Sequence, residues 1–147
     1  MKVADILKTK GSGVNTITPH STIKQALQNI TENKVGSLVV VDSSHCPVGI
    51  ITERDIIKLV FEKYESSWQR IAVGEVMTKN IIIGFPEDDV EYIMQLMTSN
   101  RIRHVPILQD NKLSGIISIG DIVKSLLKDF KAENRYLSDY ISGKYPA

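Results

Sequence analysis

The chain carries one pattern twice, and this internal repeat constrains its fold more than any other feature. The first copy closes with Gly49-Ile50-Ile51-Thr52-Glu53-Arg54-Asp55-Ile56 and the second with Gly115-Ile116-Ile117-Ser118-Ile119-Gly120-Asp121-Ile122. Upstream, Pro19 matches Pro86 and Asn33 matches Asn100 at an offset of 67, while Gly49 and Gly115 lie 66 apart, so one residue is missing from the turn between them. A period this long, present only twice, argues for two packed copies of one α+β unit and against a solenoid, which needs three or more stacked repeats. Two copies related by a pseudo-twofold axis also create two equivalent clefts.

Each copy reads β-α-β-β-α. In the first, Thr16 to Thr18 is a short extended piece turned by Pro19-His20. Ser21 is placed to cap a helix whose apolar residues Ile23, Ala26, Leu27 and Ile30 recur at helical spacing. Gly36 closes that helix. Ser37 to Val41 is apolar, β-branched and too short for a helix, and Asp42-Ser43-Ser44 before Pro47 is turn chemistry, so a buried strand enters a hairpin that returns over Val48 to Ile51. Thr52 then starts a helix carrying Ile56, Ile57, Val60 and Phe61. In the second copy the same order predicts a strand at Ile81 to Ile83 and a helix capped by Asp88 or Asp89 through Val90, Ile93, Met94 and Met97. A hairpin of His104 to Leu108 with Leu113 to Ile117 then turns over Gln109 to Lys112, and a last helix runs from about Asp121 towards Tyr140. The polar stretch Glu62 to Arg70 reads as a helix end and linker.

A length of 147 residues fits one compact domain, and two halves of that size would each be marginal alone. With 42% hydrophobic and 24% charged residues and a net charge of +1, neither disorder nor a strong field for nucleic acid is indicated. A single cysteine excludes an internal disulfide, and no Cys/His cluster has metal spacing, which suits a reducing compartment, with the cytoplasm as the default. The first residues lack the apolar core of a signal peptide, and no stretch approaches the roughly 20 apolar residues that span a bilayer. The chain is therefore expected to be neither exported nor membrane-inserted.

The two hydroxyl-x-x-aspartate runs carry the chemistry. The mouth of a helix offers free backbone N–H groups and the positive end of a dipole, where an anion sits well, and Thr52 and Ser118 add a hydroxyl there. Asp55 and Asp121, three residues on, present paired acceptor oxygens that suit two vicinal sugar hydroxyls. A phosphorylated ribose would satisfy both ends. The plainer account is an ordinary helix start, with the hydroxyl as cap and the aspartate completing it; for the same run twice in one repeat, the binding account is preferred. Arg54, inside the first run, could fork onto a phosphate, and its counterpart Gly120 cannot. Lys10 precedes Gly11-Ser12-Gly13, a flexible entry segment that would allow close backbone approach to a ligand. Both are also the kind of cation that is commonly only solvated. No Gly-Lys-Ser/Thr follows the glycines, so a phosphate-hydrolysing loop has no support.

Arg101, Arg103 and His104 are three candidate cations at the start of a buried strand; alternation along an extended backbone would send 102 and 104 one way and 101 and 103 the other. His45-Cys46-Pro47 sits in a hairpin turn with no acid partner near in sequence, so a Cys/His nucleophile is not expected. Met94 and Met97 read as core filler. Tyr136, Tyr140 and Tyr145 decorate the tail as a packing face or a lid.

Taken together, these features resemble a tandem pair of cystathionine-β-synthase (CBS) domains, or Bateman module. The resemblance runs from Val3 to about Leu127 and rests on the openers Val3-Ala4-Asp5-Ile6-Leu7 and Val73-Gly74-Glu75-Val76-Met77-Thr78, the proline after each first strand, the two Gly-apolar-apolar-hydroxyl-x-x-Asp endings, and Asn100-Arg101-Ile102-Arg103-His104-Val105-Pro106. It implies two pseudo-twofold related repeats packed sheet to sheet, with repeat 1 over 1–62, a linker over 63–72, repeat 2 over 73–130 and a C-terminal helical tail over 131–147. By resemblance, Arg103 and His104 approach phosphates and Ile102 and Val35 border an adenine. Gly36, Ile50, Thr78 and Ile116 complete a ligand set with Lys10, Thr52, Arg54, Asp55, Ser118 and Asp121. Gly36 and Ser37, which match Arg103 and His104, are small and uncharged, leaving open whether both clefts bind equally.

The function so implied is a regulatory sensor of an adenine nucleotide, AMP, ADP, ATP or NAD, acting on an unidentified partner protein, with no catalytic cofactor and no catalysis of its own. The ligand would shift the population between two packings of the repeats. An enzyme would need a metal-binding or general-base set, for which only Glu53, Asp55 and Asp121 are candidates. The other alternative is a nucleic-acid- or purely protein-binding module with vestigial clefts; nucleic acid would need clustered Lys/Arg, against which the near-neutral charge speaks. A homodimer is also expected, because Ile56, Ile57, Val60 and Phe61 on one final helix and Ile122, Val123, Leu126 and Leu127 on the other form more apolar surface than each unit can cover.

Overall fold

The computed structural model of the chain describes residues 1–11 and 13–142. Ser12, Tyr145 and the side chain of Tyr140, singled out above, lie outside what is described.

In the first copy, β1 (Thr16–Ile17) pairs in parallel with β2 (Ser37–Val41), and β2 pairs antiparallel with β3 (Pro47–Thr52). The parallel pairing needs a crossover, which a helix, here called α2 (Ile23–Asn33), supplies. Its cap is Thr22 rather than Ser21: the Thr22 hydroxyl accepts from the Gln25 N–H while the Gln25 side chain accepts from the Thr22 N–H, a reciprocal arrangement that Ser21 cannot make from one position earlier. The Ser21 hydroxyl is instead engaged with that of Thr18. Lys34, in the left-handed region at φ 54, ends α2, ahead of Gly36. After β3, α3 (Glu53–Lys63) begins without a loop, and a short 3-10 turn at Trp68–Arg70 leads to α4 (Val73–Val76).

The second copy has α5 (Val90–Asn100), β4 (His104–Gln109), β5 (Lys112–Ser118) and α6 (Ile119–Ile141). Four expectations are corrected there. Ile81 to Ile83 form no strand; contact with β4 is one parallel bridge between Gly84 and Ile107, so this sheet has two strands where the first has three. The hairpin turn is only Asp110-Asn111, at φ 53 and 62, the two left-handed residues of a tight hairpin, so Gln109 and Lys112 belong to the strands. Asp89 stands at the start of α5 without capping it, because its carboxylate is drawn to Lys2 at 2.8 Å; Asp88 accepts from the Phe85 N–H instead. Arg101 is the left-handed end of α5 at φ 55, so the alternation expected from Arg101 to His104 does not hold.

The helix that opens the chain, α1 (Val3–Lys10), packs on the core of the second copy, not of its own. Its first free N–H groups, on Val3 and Ala4, donate to the carbonyls of Asp88 and Pro86. The mirror arrangement holds for α4, where Val73 and Gly74 donate to Ser21 and Pro19. Thus Val3 and Ile6 join Val90, Ile93, Met97, Val105, Ile107, Ile117 and Ile122 in one core, while Val73 joins Ile17, Ile23, Ala26, Ile30, Leu38, Val40, Ile51, Ile56 and Leu59 in the other. All of β2 is buried, though only Leu38 and Val40 face the helices. Val39, Val41 and Ile50 lie on the opposite face, buried where the two sheets pack on each other. No helix among the described residues is long and apolar enough to cross a membrane.

The openers are held down at two glycines. A methyl on Gly115 would lie 2.6 Å from Leu7 Cδ2, and one on Gly49 would lie 2.6 Å from Met77 Sδ and 2.9 Å from the Thr78 carbonyl oxygen. Leu7 is a flexible tip that can yield, whereas the Thr78 carbonyl is backbone. Gly49→Ala should therefore lower the unfolding free energy by about 1–3 kcal/mol and Gly115→Ala by less, measured by urea denaturation. Equal losses would mean that the backbone at Thr78 yields as readily as Leu7.

Candidate functional site

Because the openers dock crosswise, each helix mouth is built from three separate stretches of chain. At the start of α6, the Ser118 hydroxyl accepts from the Asp121 N–H at 3.1 Å and Asp121 Oδ2 accepts from the Ser118 N–H at 2.9 Å. At the start of α3 the same reciprocal pair joins Thr52 and Asp55 at 3.2 and 3.0 Å. The plainer account of these runs is thus realised: both aspartates cap their helices. It does not exhaust them, since only one carboxylate oxygen is used for capping in each case, and the other remains an acceptor.

The two mouths differ in what lies over them. Lys10 is the last residue of α1, not part of a flexible entry segment as expected, and α1 delivers its ammonium to Asp121 Oδ2 at 2.7 Å and to the Ile116 carbonyl at 2.8 Å. In the other cleft the Ile50 carbonyl accepts from the Thr78 N–H at 2.9 Å, and the Ile50 N–H donates to the Thr78 carbonyl at 3.0 Å. Lys10 therefore satisfies with a side chain the Ile116 carbonyl, whereas Thr78 satisfies the matching Ile50 carbonyl with backbone.

The second-copy cleft also receives His104, which meets two first-copy residues at the start of α3: a methyl on Gly36 would sit 3.5 Å from His104 Nε2 and 4.0 Å from Glu53 Oε1, and the Gly36 carbonyl accepts from the Glu53 N–H at 3.1 Å. His104 was one of the three candidate cations. Burial, followed by the charge of Lys10, instead pushes its pKa below the ordinary 6.5, with Asp121 and Glu53 opposing and Arg103 adding to the depression, so at neutral pH it is an uncharged imidazole. For Asp121, burial is the largest single influence and favours the neutral acid. The Lys10 hydrogen bond, the Ser118 N–H and the Lys10 charge together outweigh it and hold the carboxyl below 3.8.

The structure thus gathers Lys10, His104, Ile116, Ser118 and Asp121 around one mouth, and Gly36, Ile50, Thr52, Asp55 and Thr78 around the other, with Gly36 against His104. Arg54 and Arg103 are exposed at the rims, while Val35 and Ile102 are half-buried against the two cores. The sequence had not paired Lys10 with Asp121, because 111 residues separate them and only the crosswise docking of α1 joins them. Glu53, which the sequence offered only to an enzyme, is the carboxylate facing Gly36 and His104. Among the described residues, no three His, Cys, Asp or Glu side chains are grouped to hold a metal.

The CBS domain family profile matches residues 3–62 and 73–128, which include both openers and both helix mouths. The chain belongs to the CBS-domain family. A mitochondrial CBS domain-containing protein of Arabidopsis thaliana is 36% identical over 97% of this chain and 73% of its own length. The crystal structure of a CBS-domain-containing protein from Agrobacterium tumefaciens superposes with a TM-score of 0.81 at 37% identity, covering 85% of this chain and 98% of the other. The CBS domain pair of protein MJ0100, solved in complex with 5-methylthioadenosine and S-adenosyl-L-methionine, superposes at 0.72 with 26% identity, covering 88% and 98%. CBS pair proteins are generally regulatory.

His104 gives this CBS pair a pH-dependent stability with a defined sign. Its folded pKa lies below the 6.5 of the unfolded chain, so its contribution is complete above 6.5 and is lost as the pH falls towards the folded value, where the unfolded state takes up the proton first. Asp121 contributes in the same direction in a lower window, its share being present above 3.8 and lost as the pH falls through its depressed folded pKa. His104→Gln should flatten the fall in unfolding free energy between neutral pH and about pH 5, read by urea denaturation at stepped pH. An unchanged slope would mean that His104 titrates as freely folded as unfolded.

Proposed function

We propose that this CBS pair is a regulatory sensor of an adenosine-containing ligand, read as AMP, ADP, ATP or NAD, and that occupancy changes the packing of its two repeats and so its affinity for a partner protein. The observation that carries this reading is the twice-built helix mouth. In each, a hydroxyl, helical N–H groups and an aspartate with a spare carboxylate oxygen converge where two repeats meet. A ribose diol suits the paired carboxylate oxygens, one of which is not used for capping, and a phosphate suits the N–H groups and the rim cations. The protein of known structure with bound 5-methylthioadenosine and S-adenosyl-L-methionine supports the adenosine part of the reading. The sensor is read as non-catalytic, since the candidate carboxylates Asp55 and Asp121 are committed to capping and, for Asp121, to Lys10.

A ligand that binds only the folded protein raises its stability by mass action, about 2.7 kcal/mol at a hundredfold excess over Kd. AMP, ADP, ATP or NAD should accordingly raise the melting temperature, with Asp121→Ala removing the effect at one cleft and Asp55→Ala at the other. Wild-type responses to all four nucleotides in the double variant would refute the site assignment.

The sensor is further read as a homodimer. The inner side of each final helix is covered, with Ile56, Leu59 and Ile122 buried, but Ile57 and Phe61 on α3 and Val123, Leu126, Leu127 and Phe130 on α6 are exposed. Ile57 and Phe61 are 67% and 80% accessible, and the α6 stripe continues through Leu137 to Ile141 beyond the matched repeat. These helices begin at Thr52 and Ser118, so ligand at their mouths and a partner copy along their sides would be mechanically linked. Sedimentation equilibrium at micromolar concentration should show a dimer that Phe61→Asp combined with Leu127→Asp converts to monomer. A wild-type monomer would remove this route of signalling.

A further inference from the structure

Lys10 occupies Oδ2 of Asp121, one of the two carboxylate oxygens with which a ribose diol would pair, while Oδ1 takes no part in capping. Its ammonium lies 2.7 Å from Asp121 Oδ2, and this pair is only partly accessible, at 31% for Lys10 and 21% for Asp121. Among the described residues, the other cleft holds no equivalent ion pair. Leu7 and Met77 take matching places over Gly115 and Gly49, so three residues further on Lys10 corresponds to Asn80. Asn80 is uncharged, and among the described residues Asp55 has no ion-pair partner.

We infer that Lys10 is an internal competitor that sets the ligand selectivity of the second-copy cleft, an inference that rests on the adenosine-ligand reading above. A neutral adenosine placing its ribose diol on Asp121 must loosen the ammonium from a half-buried carboxylate and offers the freed lysine nothing in return. Both charges are then poorly compensated. An adenosine carrying a phosphate supplies the missing anion. Lys10 exchanges one negative partner for another, and the diol takes the acceptor it leaves. The cleft therefore discriminates against uncharged nucleosides, and the other cleft lacks this device.

The exchange also has a mechanical side. Lys10 is the last residue of α1, and it is followed by Gly11 at φ 93 and the short connection from the second core to β1 of the first. A ligand that draws the ammonium away from Asp121 acts on the strand of chain that joins the two repeats.

The test is a titration of adenosine and of AMP into the full chain, followed by amide NMR at Ser118 and Asp121, which belong to this cleft alone. In wild type AMP binds more tightly than adenosine. In Lys10→Met, adenosine should tighten by about tenfold while AMP does not tighten, and Lys10→Arg should keep the wild-type discrimination. If adenosine and AMP shift by the same factor in Lys10→Met, or neither shifts, the inference is overturned while the nucleotide reading stands. Loss of discrimination in Lys10→Arg overturns it equally. If neither ligand moves these amides in any of the three proteins, the inference is overturned, and the nucleotide reading falls with it only if the melting temperature is also unmoved.

Discussion

The crosswise docking of the two openers is the constraint on which the molecule depends. Each repeat alone has a sheet, two helices and an open end to its core, and the helix that closes that end belongs to the other repeat. The closure is polar as well as apolar. The first N–H groups of α1 and α4 find carbonyls at Asp88, Pro86, Ser21 and Pro19, so two helix starts that would otherwise be orphaned are satisfied by the opposite copy. Neither core is complete without both halves of the chain. Rearranging the repeats is thereby bound to the positions of α1 and α4, and through them to the two helix mouths.

The same docking makes two formally equivalent clefts unequal. Where Thr78 closes one edge with backbone hydrogen bonds to Ile50, Lys10 closes the other with a charge shared between the Ile116 carbonyl and Asp121. Beside this ion pair, burial keeps His104 neutral against the pull of Asp121 and Glu53. The second-copy cleft thus carries an ion pair beside a buried imidazole, and the first-copy cleft presents Asp55 with the rim guanidinium of Arg54.

Much of the fold was legible from the sequence. The repeat, the helices at Ile23 and Val90, the β2–β3 and β4–β5 hairpins and the helix starts at Thr52 and Ser118 all followed from local pattern and capping chemistry, which act over a few residues. The errors arose where a distant group outcompeted a local one. Asp89 has the right chemistry to cap α5, but Lys2 takes its carboxylate. Ile81 to Ile83 have the right composition for a strand, but only Gly84 comes close enough to β4 to pair. Arg101 looked extended, but it is the left-handed residue that ends α5.

Of the candidate site, the sequence by itself determined the two hydroxyl-x-x-aspartate mouths, because helix capping is set by residues three apart and the same run stands in both copies. It also determined the family, through motifs that remain recognisable wherever the chain goes next. Only the tertiary structure decided that Lys10 meets Asp121, that Gly36 and Glu53 lie against His104, and that the imidazole is neutral. Those facts depend on which surface α1 covers. Its apolar face of Val3 and Ile6 suits either core by composition, and each copy offers a matching pair of carbonyls, so the docking of α1 on Pro86 and Asp88 is a property of the folded whole and not of any local run.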